Sequence, residues 1–302
     1  MIKWYTPTIC YSPLIDTSGF GGSWGWSYMK PTTTTMTGFA LFAGSTSYGY
    51  PASTNLYAYS GNTVTTGSEL GSPLMDGANA AGNSIVGIFE AGAVPYTSIY
   101  TYSGNVVTKG TNLTGAIEYS YAATGNSIMG IFALGESVTT NIYTYAANTA
   151  TLGTNLIDQV YLGNAVGNST EGIFSMGTSE TTNIYMYSGN TVAAGTNLTL
   201  GSYYGSAAGN TTQGIIAIGS NSTTTNIYTY AGNTVTMGTN LTVATQAMGA
   251  TGNSIEGIFT LQGVVSTNIY TYSGNMVTMG TNLTYSGVFA VATSSSNIGV
   301  IS

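Results

Sequence analysis

The residues Thr267–Asn275 read TNIYTYSGN, and five near copies of this stretch lie upstream in the chain. The first tyrosine of each copy follows that of the preceding copy by 42 or 43 residues, a period typical of β-propeller repeats. The chain is therefore built from repeated structural units. The first tyrosines of the six copies are Tyr57, Tyr100, Tyr143, Tyr185, Tyr228 and Tyr270.

Two other phrases recur at the same interval. The first begins with GNSIVGIF at Gly82–Phe89, and the second is GTNL, first complete at Gly110. Each unit thus contains short segments rich in Ile, Val, Thr, Tyr and Phe that are separated by Gly and Asn, the pattern of β-strands joined by tight turns. With the variable stretch before GN counted as a strand, each unit has four predicted strands, here called A to D in chain order.

Four-stranded units of this length predict an all-β fold, a β-propeller of four-stranded antiparallel blades. Dividing the 302 residues by the unit length predicts seven blades in a single domain over residues 1–302, with the repeat blades in residues 31–302. An open solenoid is the structural alternative, and it requires polar caps at both ends.

The two ends of the chain predict how the ring closes. The C-terminal stretch of 18 residues, YSGVFAVATSSSNIGVIS, aligns with Val243–Thr260, so Gly299–Ile301 corresponds to strand B of a last, incomplete blade. Ala40–Gly44 resembles strand B of the first complete blade and leaves residues 1–30 spare. We expect these residues to contain closing strands, with Ile2–Tyr11 completing the last blade, so that N- and C-terminal strands share it.

The composition excludes several functions. Charged residues make up 4% of the chain, Arg and His are absent, and the only basic residues are Lys3, Lys30 and Lys109. Nucleic-acid binding needs clustered Lys and Arg, so we expect none. Without His there is no Ser-His-Asp triad and few transition-metal sites, so no cofactor or metal site is predicted, and calcium binding by Asp, Glu and backbone oxygens stays open. The ten acidic residues are scattered, which leaves a glycosidase-like pair of carboxylates as the enzymatic alternative.

No signal peptide is visible at the N-terminus, and no apolar run has transmembrane length, so no membrane insertion is predicted.

The repeats differ from one another mainly in two connections, between strands B and C and between strands D and A. In an up-and-down blade both connections emerge on the same face, here called the variable face, which is where a repeat scaffold would carry a binding site. Tyrosine beside carboxylates suits sugar recognition, because the ring stacks on C–H groups while polar groups bind hydroxyls. The alternative is that these tyrosines fill the central channel. The candidate ligand-binding residues are Tyr48, Tyr50, Glu118, Tyr119, Tyr121, Asp158, Tyr161, Tyr203 and Tyr204.

The segment Gly19–Lys30 has no counterpart in the repeats and contains Trp24 and Trp26. These two residues are candidates for attachment to a partner protein. Burial beneath the ring is the alternative.

The repeat unit resembles the kelch-type blade in its order GN-x-x-x-G-I-F-x-x-G, variable loop, T-N-I-Y-T-Y and short strand D, over Ala40–Ser302. Most copies have one glycine after GIF where kelch repeats usually have two, and Val or Ala replaces the strand D tryptophan. The composition and the regular spacing of the repeats also resemble those of Thr/Asn/Gly-rich repeat proteins of bacteriophage virions and bacterial surfaces.

The second resemblance implies a non-enzymatic binding or display module, located on a virion or cell exterior, as a tail-fibre or head-decoration protein. Its expected partners are virion or surface-assembly proteins and host-surface carbohydrate. Two alternatives stay open: a purely structural capsid or lattice protein, and a carbohydrate-active enzyme using carboxylates such as Glu118 or Asp158.

Overall fold

The Gly- and Asn-bounded runs of β-branched and aromatic residues form short strands in the structure, which is a computed structural model. It describes residues 38–45, 52–75, 77–115, 119–120, 122–244, 246, 249–261, 264–284 and 289–295. The described residues all belong to one compact unit. Two single-turn 3-10 helices, Tyr102–Gly104 and Tyr272–Gly274, follow strand C in two of the repeats.

The strands form four-stranded antiparallel sheets, the blades of a β-propeller. Blade 1 contains β1 (Phe39–Ser45), β2 (Ser53–Ala58), β3 (Thr63–Thr66) and, from the C-terminal end, β24 (Phe289–Ser294). Blade 2 contains β4 (Asn79–Gly82), β5 (Val86–Glu90), β6 (Thr97–Thr101) and β7 (Val106–Lys109). Blade 3 contains β8 (Ala123–Gly125), β9 (Met129–Ala133), β10 (Thr140–Thr144) and β11 (Thr149–Leu152).

The remaining blades repeat this order. Blade 4 contains β12 (Ala165–Gly167), β13 (Glu171–Ser175), β14 (Thr182–Met186) and β15 (Thr191–Ala194). Blade 5 contains β16 (Ser206–Gly209), β17 (Gln213–Ala217), β18 (Thr225–Thr229) and β19 (Thr234–Met237). Blade 6 contains β20 (Ala250–Gly252), β21 (Glu256–Thr260), β22 (Thr267–Thr271) and β23 (Met276–Met279).

The prediction of a β-propeller with four-stranded antiparallel blades is confirmed, but the prediction of seven blades is wrong: the described residues form six. The C-terminal strand β24 pairs with β1, whose other edge pairs with β2, so two partial units make one blade. The prediction from chain length counted these two partial units separately. It also counted residues 1–37, which lie outside the described residues.

The ring closes through that shared blade. Strand A of each blade contacts strand A of both neighbouring blades, and β24 takes its place between β20 and β4. Strand A is therefore innermost, while strand D is largely exposed in blades 1 to 6. The prediction that strands from the two ends share a blade is confirmed. The predicted contributions of Ile2–Tyr11 and Gly299–Ile301 lie outside the described residues.

The recurring phrases join each blade to the next by a hydrogen-bonded clasp. Between blades 3 and 4, the Thr154 amide donates to Asn190 Oδ1 (2.9 Å), and the Thr154 hydroxyl donates to the Asn190 carbonyl. The Tyr185 hydroxyl, from the first tyrosine of NIYTY, donates to the same Oδ1. The other five interfaces have an equivalent amide bond, and its acceptors are Asn62, Asn105, Asn148, Asn233 and Asn275.

The clasp requires asparagine for a conformational reason as well. The six clasp asparagines all have left-handed backbone, with φ from +46° to +50°. Asparagine tolerates this conformation better than other residues with a side chain, and its amide oxygen can bond locally. The GN and GTNL phrases are therefore scaffold, and the bond from Thr281 to Asn62 (2.9 Å) closes the ring between blades 6 and 1.

The tyrosines of strand C fill the space between blades. Tyr100, Tyr143 and Tyr185 are fully buried, and their hydroxyls accept amide bonds from the preceding blade. Strand B of one blade approaches strand A of the preceding blade so closely that a Cβ on Gly130 would lie 2.6 Å from the Ala81 Cβ. These contacts explain the glycine of GIF and confirm that the repeated tyrosines are interblade core.

The clasp can be tested at Asn190. Asn190→Gly keeps access to the left-handed conformation but removes two side-chain hydrogen bonds, each of which contributes about 0.5–1.5 kcal/mol. Asn190→Ala removes the same bonds and adds about 1–2 kcal/mol of backbone strain. We expect chemical denaturation to rank free energies of unfolding as wild type, then Gly, then Ala. Equal stability of all three would show that the clasp does not hold the blades together.

Candidate functional site

Four of the predicted ligand-binding tyrosines lie together on the variable face. Ring centroids are 5.9 Å apart for Tyr119 and Tyr161, 6.1 Å for Tyr161 and Tyr203, and 4.6 Å for Tyr203 and Tyr204. These four residues are called the tyrosine row. They belong to three successive D–A connections, leading into β8, β12 and β16, so they lie at the inner end of the face, where the connections meet the innermost strands.

Backbone hydrogen bonds join the three connections. Leu162 N donates to the Tyr119 carbonyl (2.5 Å), and Tyr204 N donates to the Leu162 carbonyl (3.0 Å). These three residues occupy the same position in their repeats, nine residues after the glycine of GTNL, and all have left-handed φ of +55° or +56°. Non-glycine residues rarely adopt this conformation, and it recurs at functional sites where the surrounding structure holds it in place.

The B–C connections support the row from the side. Tyr161 forms a bridge with Gly177, and its amide donates to the Met176 carbonyl (3.2 Å). Gly177 has φ +80°, and a Cβ there would lie 1.9 Å from the Tyr161 carbonyl oxygen, so only glycine fits. The Ser220 hydroxyl donates to the Tyr203 carbonyl (3.1 Å). The backbones of Tyr161 and Tyr203 are thus each held by a second loop of their own blade.

A buried polar network lies beneath the row. The Ser202 hydroxyl donates to Ser175 Oγ (2.6 Å), and Ser175 in turn donates to the Asn164 carbonyl (3.1 Å) and accepts from the Asn164 amide. All three residues are buried. These bonds tie the connection that carries Tyr203 to strand B of blade 4 and to the connection that precedes β12, so the row is supported by a hydrogen-bonded framework rather than by a free loop.

The rings of the row keep accessible surface. Tyr119 is 38% exposed, and Tyr161, Tyr203 and Tyr204 are half-buried. Partial desolvation raises the pKa of the Tyr161 hydroxyl, and the nearby Tyr203, Glu136 and Tyr119 add to this effect. Tyr161 therefore stays neutral at physiological pH and keeps a hydrogen-bond donor beside an aromatic face.

The carboxylate near Tyr161 is one that sequence reasoning did not select. Glu136 lies in the B–C connection of blade 3, is exposed, and donates its amide to the Val160 carbonyl (2.9 Å). Asp158, which was selected, lies instead beside strand C of blade 4, where it accepts a bond from Asn183 Nδ2 (3.4 Å). Membership of a B–C connection was the one signal that could have identified Glu136.

The structure brings together Tyr119, Tyr161, Tyr203 and Tyr204 and places Asp158 beside Asn183. The other predicted site residues lie outside the described residues: Trp24, Trp26, Tyr48, Tyr50, Glu118 and Tyr121.

The described ranges contain no group of three or more Cys, Asp or Glu side chains able to hold a metal ion. They also include no helix long and apolar enough to cross a bilayer.

The carboxyl group of Glu90 is fully buried. Glu90, at the end of strand B in blade 2, accepts a bond from the Gly92 amide (2.9 Å), and its cross-strand neighbour is Asn79, also buried. Burial raises the pKa of the Glu90 carboxyl well above its usual value of 4.5. The group is therefore less acidic in the folded protein than in the unfolded chain.

The chain matches no protein-family model, and no curated protein is significantly similar to it.

Glu90 gives the fold a measurable pH dependence. Because the folded pKa is raised, the unfolded chain releases its proton first as the pH rises, so stability falls above about pH 4.5. We expect Glu90→Gln to raise the melting temperature at pH 7, by an amount that shrinks towards pH 4. Partial burial also raises the pKa values of the half-buried Glu171 and Glu256. The melting temperature of the variant should therefore still fall with rising pH, but less steeply than that of the wild type.

The matched control for this experiment is Glu180→Gln, which makes the same substitution at an exposed position. A melting-temperature difference between Glu90→Gln and wild type that does not vary from pH 4 to pH 8 would contradict the assignment.

Proposed function

We propose that this protein is a non-enzymatic external binding or display module whose variable face binds host-surface carbohydrate. The observation that carries the proposal is the tyrosine row: four adjacent, partly exposed rings on hydrogen-bonded connections, with a carboxylate near Tyr161. Aromatic rings bind the C–H faces of sugars, and the tyrosine hydroxyls and Glu136 supply donors and an acceptor for sugar hydroxyls.

The proposal places the module on a bacteriophage virion, as a tail-fibre or head-decoration protein with kelch-like blades. This part is supported by the Thr/Asn/Gly-rich composition and the cadence of the repeats. A chain with 4% charged residues also suits an exterior where salt concentration and pH vary, because few of its interactions depend on ionisation.

The row can be tested on an array of bacterial surface glycans. Replacing Tyr161, the central ring, with Ala should weaken binding about tenfold, equivalent to ~1.4 kcal/mol, because stacking with the sugar is lost. Tyr161→Phe should retain the part of the binding affinity that comes from stacking on the sugar. The control is Ile128→Ala, which removes an exposed apolar side chain (60% exposed) at an A–B turn on the opposite face. Retained binding in Tyr161→Ala, together with loss in Ile128→Ala, would place the glycan site elsewhere.

A second candidate function is purely structural, and the opposite face favours it. That face, here called the constant face, carries the GN turns between strands A and B. Ile85, Ile128 and Ile255 occupy the same position in these turns and are 63%, 60% and 63% exposed. Apolar side chains repeated around an exposed face suit packing against a capsid or surface lattice.

Light scattering at increasing protein concentration distinguishes this second function. If the constant face mediates assembly, wild-type protein should self-associate, and the triple substitution of Ile85, Ile128 and Ile255 by Ser should prevent association without lowering the melting temperature. A monomeric wild-type protein at all concentrations would count against self-assembly through this face.

A further inference from the structure

Blade 2 departs from the repeat at one interblade contact. In the other five blades, strand C carries an asparagine whose Oδ1 accepts an amide bond from the preceding D–A connection, as in Thr114 N to Asn141 Oδ1 (2.7 Å). Blade 2 has Ser98 at this position, and the residue of the preceding connection equivalent to Thr114 is Gly71. Both substitutions remove side-chain atoms from the same boundary between blades 1 and 2.

The residue paired with Ser98 also departs from the repeat. Its register partner in strand D is Lys109. Lys109 is the one basic residue among the described residues, because Lys3 and Lys30 lie outside them. The equivalent partners in the other blades are uncharged: Thr66, Leu152, Ala194, Met237 and Met279.

These changes coincide with a cleft of about 330 Å³, within the usual range for small-molecule sites. It opens on the outer part of the variable face, since strand C begins and strand D ends there. In the other blades the asparagine side chain reaches across this boundary, and the shorter Ser98 leaves it open. The cleft is lined by Gly71, Ser72, Tyr96, Thr97, Ser98, Val107, Thr108 and Lys109.

The lining combines one cation, one aromatic ring and several hydroxyls. Lys109 Nζ lies 5.8 Å from the centroid of the Tyr96 ring, and Tyr96 is 46% exposed. An ammonium group at the edge of the cleft attracts a carboxylate, and the neighbouring ring offers an apolar surface to C–H groups. Ser72 and Thr108 place hydroxyl groups beside them. A small ligand that carries both a carboxylate and several hydroxyls matches this set.

We propose that this cleft is a second sugar site, specific for carboxylate-bearing residues such as hexuronic acids. The sugar part of this inference rests on the proposed function, and the preference for an acidic sugar rests on Lys109. The cleft lies at the ends of strands C and D in blade 2, and the tyrosine row lies in the connections that lead into blades 3, 4 and 5, so one polysaccharide with acidic and neutral residues could engage both.

The test compares sugars that differ only at the carboxylate. Methyl glucuronide is paired with methyl glucoside, and methyl galacturonide with methyl galactoside, in NMR titrations of the full chain. At least one acidic sugar should bind about tenfold more tightly than its neutral partner, because a charge-assisted bond is lost in the latter. The amide signals of Gly71, Ser72 and Lys109 should shift, and binding should weaken as salt is added.

Two substitutions locate the site without threatening the fold. Lys109→Gln removes the cation at an exposed position where other blades have Thr, Leu, Ala or Met, and Ser98→Asn restores the repeat residue and fills the cleft. Each should reduce affinity for the acidic sugar about tenfold, while Lys109→Arg should retain binding. Equal affinity for both members of each pair, or unchanged affinity in Lys109→Gln, would overturn the proposal.

The outcomes separate this inference from the proposed function. If Tyr161→Ala abolishes binding to the glycan array and the protein shows no preference for acidic sugars, the tyrosine row is supported as a glycan site and the cleft is ruled out as an acidic-sugar site. If acidic sugars bind in a manner that depends on Lys109, but Tyr161→Ala does not change binding to the array, the cleft is supported as an acidic-sugar site and the tyrosine row is ruled out as the glycan site.

Discussion

The clasp between successive blades is the contact on which the rest of the structure depends. A threonine or serine of one blade donates its backbone amide to a left-handed asparagine of the next, and the same asparagine accepts a bond from the first NIYTY tyrosine. A blade alone would leave its buried tyrosine face exposed, so its stability comes from its neighbours. Six copies of the clasp join the six blades into a closed ring, and the last copy lies between Thr281 and Asn62.

A scaffold maintained by repetition allows its connections to vary. The phrases that form the clasp lie in the turns and at the strand ends, and they stay nearly constant. The clasp donor lies in GTNL, at the start of each D–A connection. The rest of that connection and the B–C connection carry no part of the clasp, so they can hold residues that the fold does not need. The tyrosine row lies in these variable segments, and the Lys109 cleft lies where two of them meet strands C and D of blade 2. The row is nevertheless well ordered by its surroundings, because Gly177, Ser175 and Ser202 fix the backbone beneath and beside it.

Sequence reasoning predicted the elements of this fold well because each carries a local signal. Asn and Gly mark the turns, and the tyrosines of strand C recur at a fixed interval. The number of blades depends instead on which partial units pair. The bond pattern between β24 and β1 decides it, and no local residue type reveals that pairing. Dividing the chain length by the repeat therefore gave one blade too many.

In the candidate site too, the sequence predicted the features with a local signal and missed those that depend on contacts between distant segments. Variation between repeats was enough to select Tyr119, Tyr161 and Tyr203, which the ring geometry brings into contact across three blades. Glu136 was missed because its proximity to Tyr161 arises from two connections that are distant in sequence. The Lys109 cleft was missed because it results from a smaller residue, Ser98, at a strand position that appeared to be scaffold.

We propose that ligand contact falls on the variable face, while the repeated phrases only build the ring. Hydroxyl-radical footprinting of the protein, with and without a saturating mixture of bacterial surface polysaccharides, tests it directly. We expect the oxidation of Tyr119, Tyr161 and Tyr203 to fall on binding, while the oxidation of Ile85, Ile128 and Ile255 does not change. Protection of the three isoleucines with unchanged oxidation of the tyrosine row would contradict it.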